Sequence, residues 1–148
     1  ASLIAIHPWT SNPLKQWPIE NFINLTKRFL NDSNIKLTII GGPENIDKSN
    51  KFCEELGNAV INLTGIFSLR QLAAFLKRCR LLISNDSGPM HLASAVNTPV
   101  VALFRNAQGV SSKRWGPWGE GHIVIEKEKL ELITVEEVLA AVKKILEG

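Results

Sequence analysis

The chain has 148 residues, of which 45% are hydrophobic and 21% are charged, and its formal net charge at pH 7 is +3. This length and composition predict a single globular domain with a substantial hydrophobic core. No apolar run reaches the roughly 18 residues of a membrane-spanning helix. No signal-peptide pattern is present, and the basic residues are spread out, which argues against a transmembrane or nucleic-acid-binding protein.

Short apolar runs alternate with helical patterns along the chain. The runs are typical of buried parallel strands, and the segments between them have the apolar spacing of amphipathic helices. The predicted strands cover 3–7, 36–42, 60–65, 81–84, 99–104 and 122–126. The predicted helices begin at Pro18 and then cover about 45–56, 68–79, 89–96 and 134–147. This alternation predicts an α/β fold with a Rossmann-like, doubly wound parallel sheet and helices on both faces.

The two cysteines, Cys53 and Cys79, stand far apart and form no CxxC pair. This spacing indicates neither a disulfide scaffold nor a zinc site. Both cysteines lie in apolar helical patterns, so we expect buried, reduced thiols and a reducing compartment.

Candidate site residues stand where the predicted strands end. In an open parallel sheet, ligands bind beyond the carboxyl ends of the strands. Polar residues and glycines follow four of the strands, and these candidates are Thr10, Ser11, Lys15, Gly41, Gly42, Glu44, Thr64, Gly65, Asp86, Ser87, Gly88 and His91. We expect these turns to converge on one edge of the sheet.

The turn from Asp86 to Pro89 has the features of a phosphate site. A helix N-terminus carries unpaired N–H groups and a partial positive charge. Ser87 is placed to cap this helix, Gly88 allows a ligand close to the backbone, and Pro89 suits the first turn. Asp86 would repel a phosphate, so a sugar hydroxyl is its expected partner. His91 follows one turn into the helix, on the same face as Ser87.

Each of these residues also has a purely structural interpretation. Asp86 and Ser87 could only cap a helix, Lys15 could be a solvated surface lysine, Glu44 an acid at a helix start, and His91 a packed histidine. Three more specific functions lack the sequence motifs that they require. A serine hydrolase needs a GxSxG turn, a receiver domain needs acids after the first strand, and Asp86 with His91 are too few ligands for a metal.

The motifs of this chain resemble those of glycosyltransferase family 9, the ADP-heptose:lipopolysaccharide heptosyltransferases. The resemblance rests on "IHPWTSNPLKQWP", "IIGGPEN", "LTGIFSLRQLAAFLKRCRLLISNDSG", "NDSGPMHLASAVNTPVVALF" and "KRWGPWG", which occur in the family's order and spacing. It covers nearly the whole chain. It implies the carboxy-terminal half of a GT-B fold, a single nucleotide-sugar-binding domain over 1–148, with the amino-terminal acceptor domain absent from this chain.

The resemblance also implies roles for particular residues. Lys15 and Asp86 would be the catalytic residues, with Lys15 on the diphosphate and perhaps the donor sugar and Asp86 on that sugar. Thr10 and Ser11 would contact the phosphates, and Glu44 would hold the ribose. The remaining implied donor-binding residues are Phe67 near the adenine, Ser87 and Gly88 on the diphosphate, and His91 supporting the turn or the phosphate.

The implied reaction is inverting sugar transfer without a metal or cofactor, from a nucleotide-diphosphate sugar such as ADP-heptose. The acceptor would be a lipid-linked glycan of the lipopolysaccharide core, reached through the missing domain. The family's general base lies in that domain, so we expect this chain to bind donor but not to turn over alone. The full enzyme is expected in the bacterial cytoplasm, at the inner face of the inner membrane.

Two positions depart from the family pattern. Arg105-Asn106-Ala107 replaces the usual Gly-Pro-Thr, and Trp9 replaces a small residue; both are expected at the ligand rim. Residues 105–121 form one long irregular segment, in which two tryptophans favour order. Two other functions remain open: a GT-B enzyme with another donor such as a UDP-sugar, and a non-catalytic nucleotide- or anion-binding module.

Overall fold

The computed structural model describes residues 1–106 and 121–148. Residues 107–120 lie outside it, and with them Ala107, the KRWGPWG motif and both tryptophans of the predicted long segment. Within the described residues, six strands form one parallel sheet in the order β3-β2-β1-β4-β5-β6. The strands are β1 (Ser2–His7), β2 (Ile35–Ile39), β3 (Val60–Asn62), β4 (Leu81–Asn85), β5 (Val100–Arg105) and β6 (Ile123–Lys127). The predicted doubly wound parallel sheet is therefore confirmed.

Five α-helices connect or follow the strands in the described part of the chain. They are α1 (Ile19–Lys27), α2 (Ile46–Leu56), α3 (Leu69–Arg78), α4 (Gly88–Ala95) and α5 (Val135–Glu147). Capping boxes form at the starts of α3 and α5, where Ser68 pairs with Gln71 and Thr134 pairs with Glu137. Local sequence therefore sets where these two helices begin.

Two strands end earlier than predicted. The predicted ranges 36–42 and 60–65 are too long, because Gly41 and Gly42 belong to a turn and Gly65 has a positive φ of 78°. The backbone hydrogen bond from Gly65 N to Gly41 O still holds these two turns side by side. The shortened strands thus leave two adjacent glycine turns at the carboxyl edge of the sheet.

The core divides into two layers, one on each face of the sheet. In β1, Ile4 and Ile6 point into one layer and Ala5 into the other, as the two-residue period of a strand requires. The first layer includes residues of α1, α2 and α5, and the second includes residues of α3 and α4. Strands buried on both faces explain why they appear in the sequence as continuous apolar runs.

The two cysteines are unpaired. Cys79 is buried at the end of α3, and burial raises the pKa of its thiol to about 12. Cys53 is half-buried in α2, and burial also raises the pKa of its thiol. The expectation of buried thiols is confirmed for Cys79 and holds only in part for Cys53.

The strand order reverses between β1 and β4, and Asn85 joins the loops that leave these two strands. Asn85 is fully buried at the end of β4. Its Oδ1 accepts a hydrogen bond from Trp17 N at 3.1 Å, and its Nδ2 donates to Pro8 O at 3.2 Å. Trp17 in turn donates from Nε1 to Ile133 O at 3.0 Å. The loop after β1 is thereby fixed over the switch point, where ligands of such sheets bind.

Candidate functional site

A cavity of about 750 Å³ opens at this switch point. Its size falls within the usual range for small-molecule sites. Of the nine donor-binding residues that the family resemblance implies, eight line it, namely Thr10, Ser11, Lys15, Glu44, Phe67, Asp86, Ser87 and Gly88. The structure therefore brings together the turns after β1, β2 and β4 with the start of α3.

Three other candidates lie apart from the cavity lining. His91 is exposed on α4. Thr64 is buried and donates a hydrogen bond to, or accepts one from, Ser49 Oγ at 2.7 Å. Gly65 packs against the Ile46 side chain. Convergence of the turns is therefore confirmed for three strands but not for the turn after β3.

Lys15 and Asp86 form an ion pair at the cavity, with Lys15 Nζ 3.1 Å from Asp86 Oδ2. The Lys15 side chain is 36% exposed and the Asp86 side chain 10%. A 3₁₀ turn over Pro13–Lys15 presents the lysine, and Asn12 caps that turn by accepting a hydrogen bond from Leu14 N at 3.0 Å. The pair balances the carboxylate charge, and the ammonium keeps further N–H donors for a ligand.

Position 41, in the turn after β2, requires glycine because the Trp9 side chain occupies the neighbouring space. A Cβ at Gly41 would lie 2.9 Å from Trp9 Cδ1. Trp9 is only 4% exposed and packs edge-to-face on Phe52, with ring centroids 5.9 Å apart. Trp9 also lines the cavity, so this departure from the family pattern lies at the candidate site.

The α4 N-terminus lacks the side-chain cap that the sequence predicts. Ser87 is the N-cap residue, but its side chain makes no capping hydrogen bond. Its Oγ instead lies 2.9 Å from Ser84 Oγ and 3.2 Å from His7 Nδ1. The prediction that Ser87 caps α4 is therefore wrong, because β1 and β4 supply competing partners. The first-turn N–H groups of α4 consequently receive no side-chain cap from the described residues.

His7 is a site residue that sequence reasoning missed. It is the last residue of β1, it lines the cavity, and it is only 7% exposed. Burial lowers the pKa of His7 to about 4, so the ring is neutral near pH 7. Candidates chosen only among the residues that follow each strand do not include His7, because it is the last residue of its strand. A histidine ending an apolar strand was the available signal.

The depressed pKa of His7 predicts a specific loss of stability in acid. The unfolded chain binds the His7 proton below about pH 6.5, whereas the folded chain resists protonation down to about pH 4. Stability is therefore full above the unfolded value and falls as the pH drops through this window. We expect His7 to contribute a loss of about 2 kcal/mol between pH 8 and pH 5.

Urea denaturation at a series of pH values measures this effect. His7→Asn should flatten the acid slope by about that amount. An unchanged slope in His7→Asn would contradict the neutral state of the buried ring.

Two kinds of feature are absent from the described residues. Residues 1–106 and 121–148 contain no cluster of three or more His, Cys, Asp or Glu side chains able to hold a metal ion. Over the same two ranges, no helix is both long and apolar enough to cross a membrane.

The fold and the cavity define a class of protein. A doubly wound sheet that carries glycine turns, a lysine and an uncapped helix N-terminus at its switch point offers positive charge and free N–H groups, which suit an anionic ligand. The model of glycosyltransferase family 9 (heptosyltransferase) matches residues 1–143. The chain therefore belongs to this family of glycosyltransferases.

Known proteins of the family share both sequence and fold with the chain. Lipopolysaccharide heptosyltransferase 3 from Escherichia coli K12 is 27% identical and is matched over 97% of the chain and 46% of its own length. A family 9 glycosyltransferase from Veillonella parvula is 30% identical, with a TM-score of 0.89 over 99% of the chain and 46% of that protein. The chain spans less than half the length of the curated relatives it matches.

The structure of E. coli heptosyltransferase WaaC with ADP shows the same fold. Its TM-score is 0.86 over 97% of the chain and 44% of that protein, at 21% identity. These matches confirm the family resemblance and the Rossmann-like half of a GT-B enzyme that it implied.

Proposed function

We propose that this chain is the donor-binding domain of an inverting glycosyltransferase that moves a heptose, or a related sugar, from a nucleotide-diphosphate sugar to a lipopolysaccharide-type glycan. One observation carries the proposal: the Lys15–Asp86 pair and the uncapped start of α4 face the same cavity. Several relatives are named lipopolysaccharide heptosyltransferases, which supports heptose as the transferred sugar and lipopolysaccharide as the acceptor. The complex of E. coli WaaC with ADP favours ADP as the nucleotide.

The diphosphate would lie against the loop after β1 and the start of α4. Lys15 contributes a positive charge, and the first-turn N–H groups of α4 supply hydrogen-bond donors. Thr10 and Ser11 line the same wall and supply further polar groups. Gly88 bears no side chain, and a Cβ there would meet no atom within 4 Å, so a phosphate oxygen can approach the backbone.

The other parts of the donor would follow the lining residues. Asp86 is a hydrogen-bond acceptor at the cavity floor and suits a hydroxyl of the transferred sugar. Glu44 is exposed at the rim and suits the ribose diol, while Phe67 suits contact with the base. His91 lies outside the lining, so its proposed role is support of the α4 turn.

In the proposed mechanism, negative charge develops on the leaving diphosphate as the sugar departs. Lys15 and the α4 N-terminus stabilise that charge, and Asp86 holds the sugar in place. No metal or cofactor enters this scheme. The general base and the binding site for the lipid-linked acceptor would lie in an amino-terminal domain. The longer relatives are expected to contain this domain. The complete enzyme would act at the cytoplasmic face of the bacterial inner membrane.

Calorimetric titration of the chain with ADP, UDP and ADP-heptose tests the proposal. ADP should bind about tenfold more tightly than UDP, a difference of about 1.4 kcal/mol. Asp86→Ala should weaken ADP-heptose more than ADP, because it removes the sugar contact. Equal binding of ADP and UDP would favour another donor.

The same preparations test the division of labour between domains. The chain alone should show no heptose transfer, because the general base is elsewhere. Normal turnover by the isolated chain would contradict the domain assignment. No binding of any nucleotide would overturn the donor-binding role.

A further inference from the structure

Three short contacts run from the end of β1 to the end of β4 beneath the cavity. Ser84 Oγ lies 2.7 Å from Asn85 O and 2.9 Å from Ser87 Oγ. Ser87 Oγ lies 3.2 Å from His7 Nδ1. Ser84 and Asn85 are fully buried and His7 is only 7% exposed, so water does not replace the contacts that these three residues make. Each contact therefore needs its own proton.

The number of available protons decides which atom donates in each of these three hydrogen bonds. Each hydroxyl carries one proton, and the Asn85 carbonyl can only accept. The Ser84 proton is therefore used on Asn85 O, which leaves Ser87 to donate to Ser84 Oγ. The remaining contact can be made only if His7 carries a proton on Nδ1 and donates it to Ser87 Oγ. Any other assignment places two acceptors face to face.

We propose that His7 is a positioning residue that makes the Ser87 hydroxyl a hydrogen-bond acceptor toward the cavity. Ser87 lines the cavity, and its only proton is used on Ser84 in this assignment, so toward a ligand its hydroxyl can only accept. A sugar hydroxyl can donate to such a group, whereas a phosphate oxygen cannot. Ser87 therefore selects the sugar part of the donor, and the diphosphate relies on Lys15 and backbone N–H groups. This assignment rests on the proposed function for the identity of the ligand.

The tautomer of His7 tests the hydrogen-bond chain without any ligand. Long-range ¹H–¹⁵N correlation spectra of the imidazole rings distinguish a proton on Nδ1 from one on Nε2. The chain has three histidines, and His7→Asn assigns the His7 signals by their loss. A neutral ring with the proton on Nδ1 is expected. A proton on Nε2 overturns the proposal, whatever the chain binds.

Two variants of nearly equal size test the effect on binding. Asparagine can place an N–H close to the position of His7 Nδ1, and leucine cannot. His7→Leu should weaken ADP-heptose by about tenfold and change ADP by less than about threefold, whereas His7→Asn should keep both near the original values. Ser87→Ala should reproduce the pattern of His7→Leu, with no further loss in the double variant.

The outcomes separate this inference from the proposed function. Equal losses for ADP and ADP-heptose, or an Asn variant as weak as the Leu variant, overturn the positioning role. Failure of the unmodified chain to bind any nucleotide overturns the donor site, while the tautomer still decides the hydrogen-bond chain. Thermal unfolding of both variants identifies a general loss of folding.

Discussion

Replacing Lys15 by alanine is expected to weaken the binding of ADP by about 100-fold, the upper range for a hydrogen bond to a charged group. Two effects act in the same direction. The ligand no longer meets the positive charge of Lys15. Asp86 also loses its ion-pair partner, and its side chain is only 10% exposed. An unbalanced carboxylate beside the diphosphate repels it. Calorimetric titration with ADP measures the loss directly.

A double variant separates these two effects. Lys15→Ala with Asp86→Ala should bind ADP more tightly than Lys15→Ala alone, because the repulsion is removed. Lys27→Ala is the matched control, since Lys27 is exposed in the last turn of α1 and does not line the cavity. A loss in Lys15→Ala no larger than in Lys27→Ala would exclude Lys15 from the phosphate site.

Asn85→Ala is expected to lower the free energy of unfolding by about 4 kcal/mol, because two buried backbone groups lose their partners together. These groups are the N–H of Trp17 and the carbonyl of Pro8. The same change frees the loop that carries Lys15, so ADP binding should weaken although Asn85 does not line the cavity. Urea denaturation followed by tryptophan fluorescence gives the stability.

Asn62→Ala is the control for this change. Asn62 also makes two hydrogen bonds, to Asn50 and to the Thr64 N–H, but it is exposed, so water can replace them. Its loss should stay below about 1 kcal/mol. An equal fall in the free energy of unfolding of both variants would show that the hydrogen bonds of Asn85 do not hold the loop after β1 in place.

Most of the fold could be predicted from local pattern. Strands buried on both faces need continuous apolar runs, and β4 has one in "LLIS". Helix starts follow from side chains three residues apart, as at Ser68 and Gln71. The ends of β2 and β3 were less predictable, since backbone hydrogen bonds continue past the strands into glycine turns.

Part of the candidate site was also accessible from the sequence. The carboxyl ends of parallel strands meet at one edge, so residues after β1, β2 and β4 were expected together, and most of them line one cavity. The roles of those residues in binding remain predictions. The departure at Arg105 and Asn106 can be placed only at the end of β5, because the following residues lie outside the described part.

The sequence by itself determined the α/β class, the family and the edge of the sheet where the ligand should bind, because these depend on periodicity and on short motifs. Only the tertiary structure decided the pairing of Lys15 with Asp86, the bridge made by Asn85 and the contact of Ser87 Oγ with His7 Nδ1. These contacts join residues far apart in the chain. They exist because β1 and β4 are neighbours in the sheet, and no local pattern records which partner a side chain will meet there.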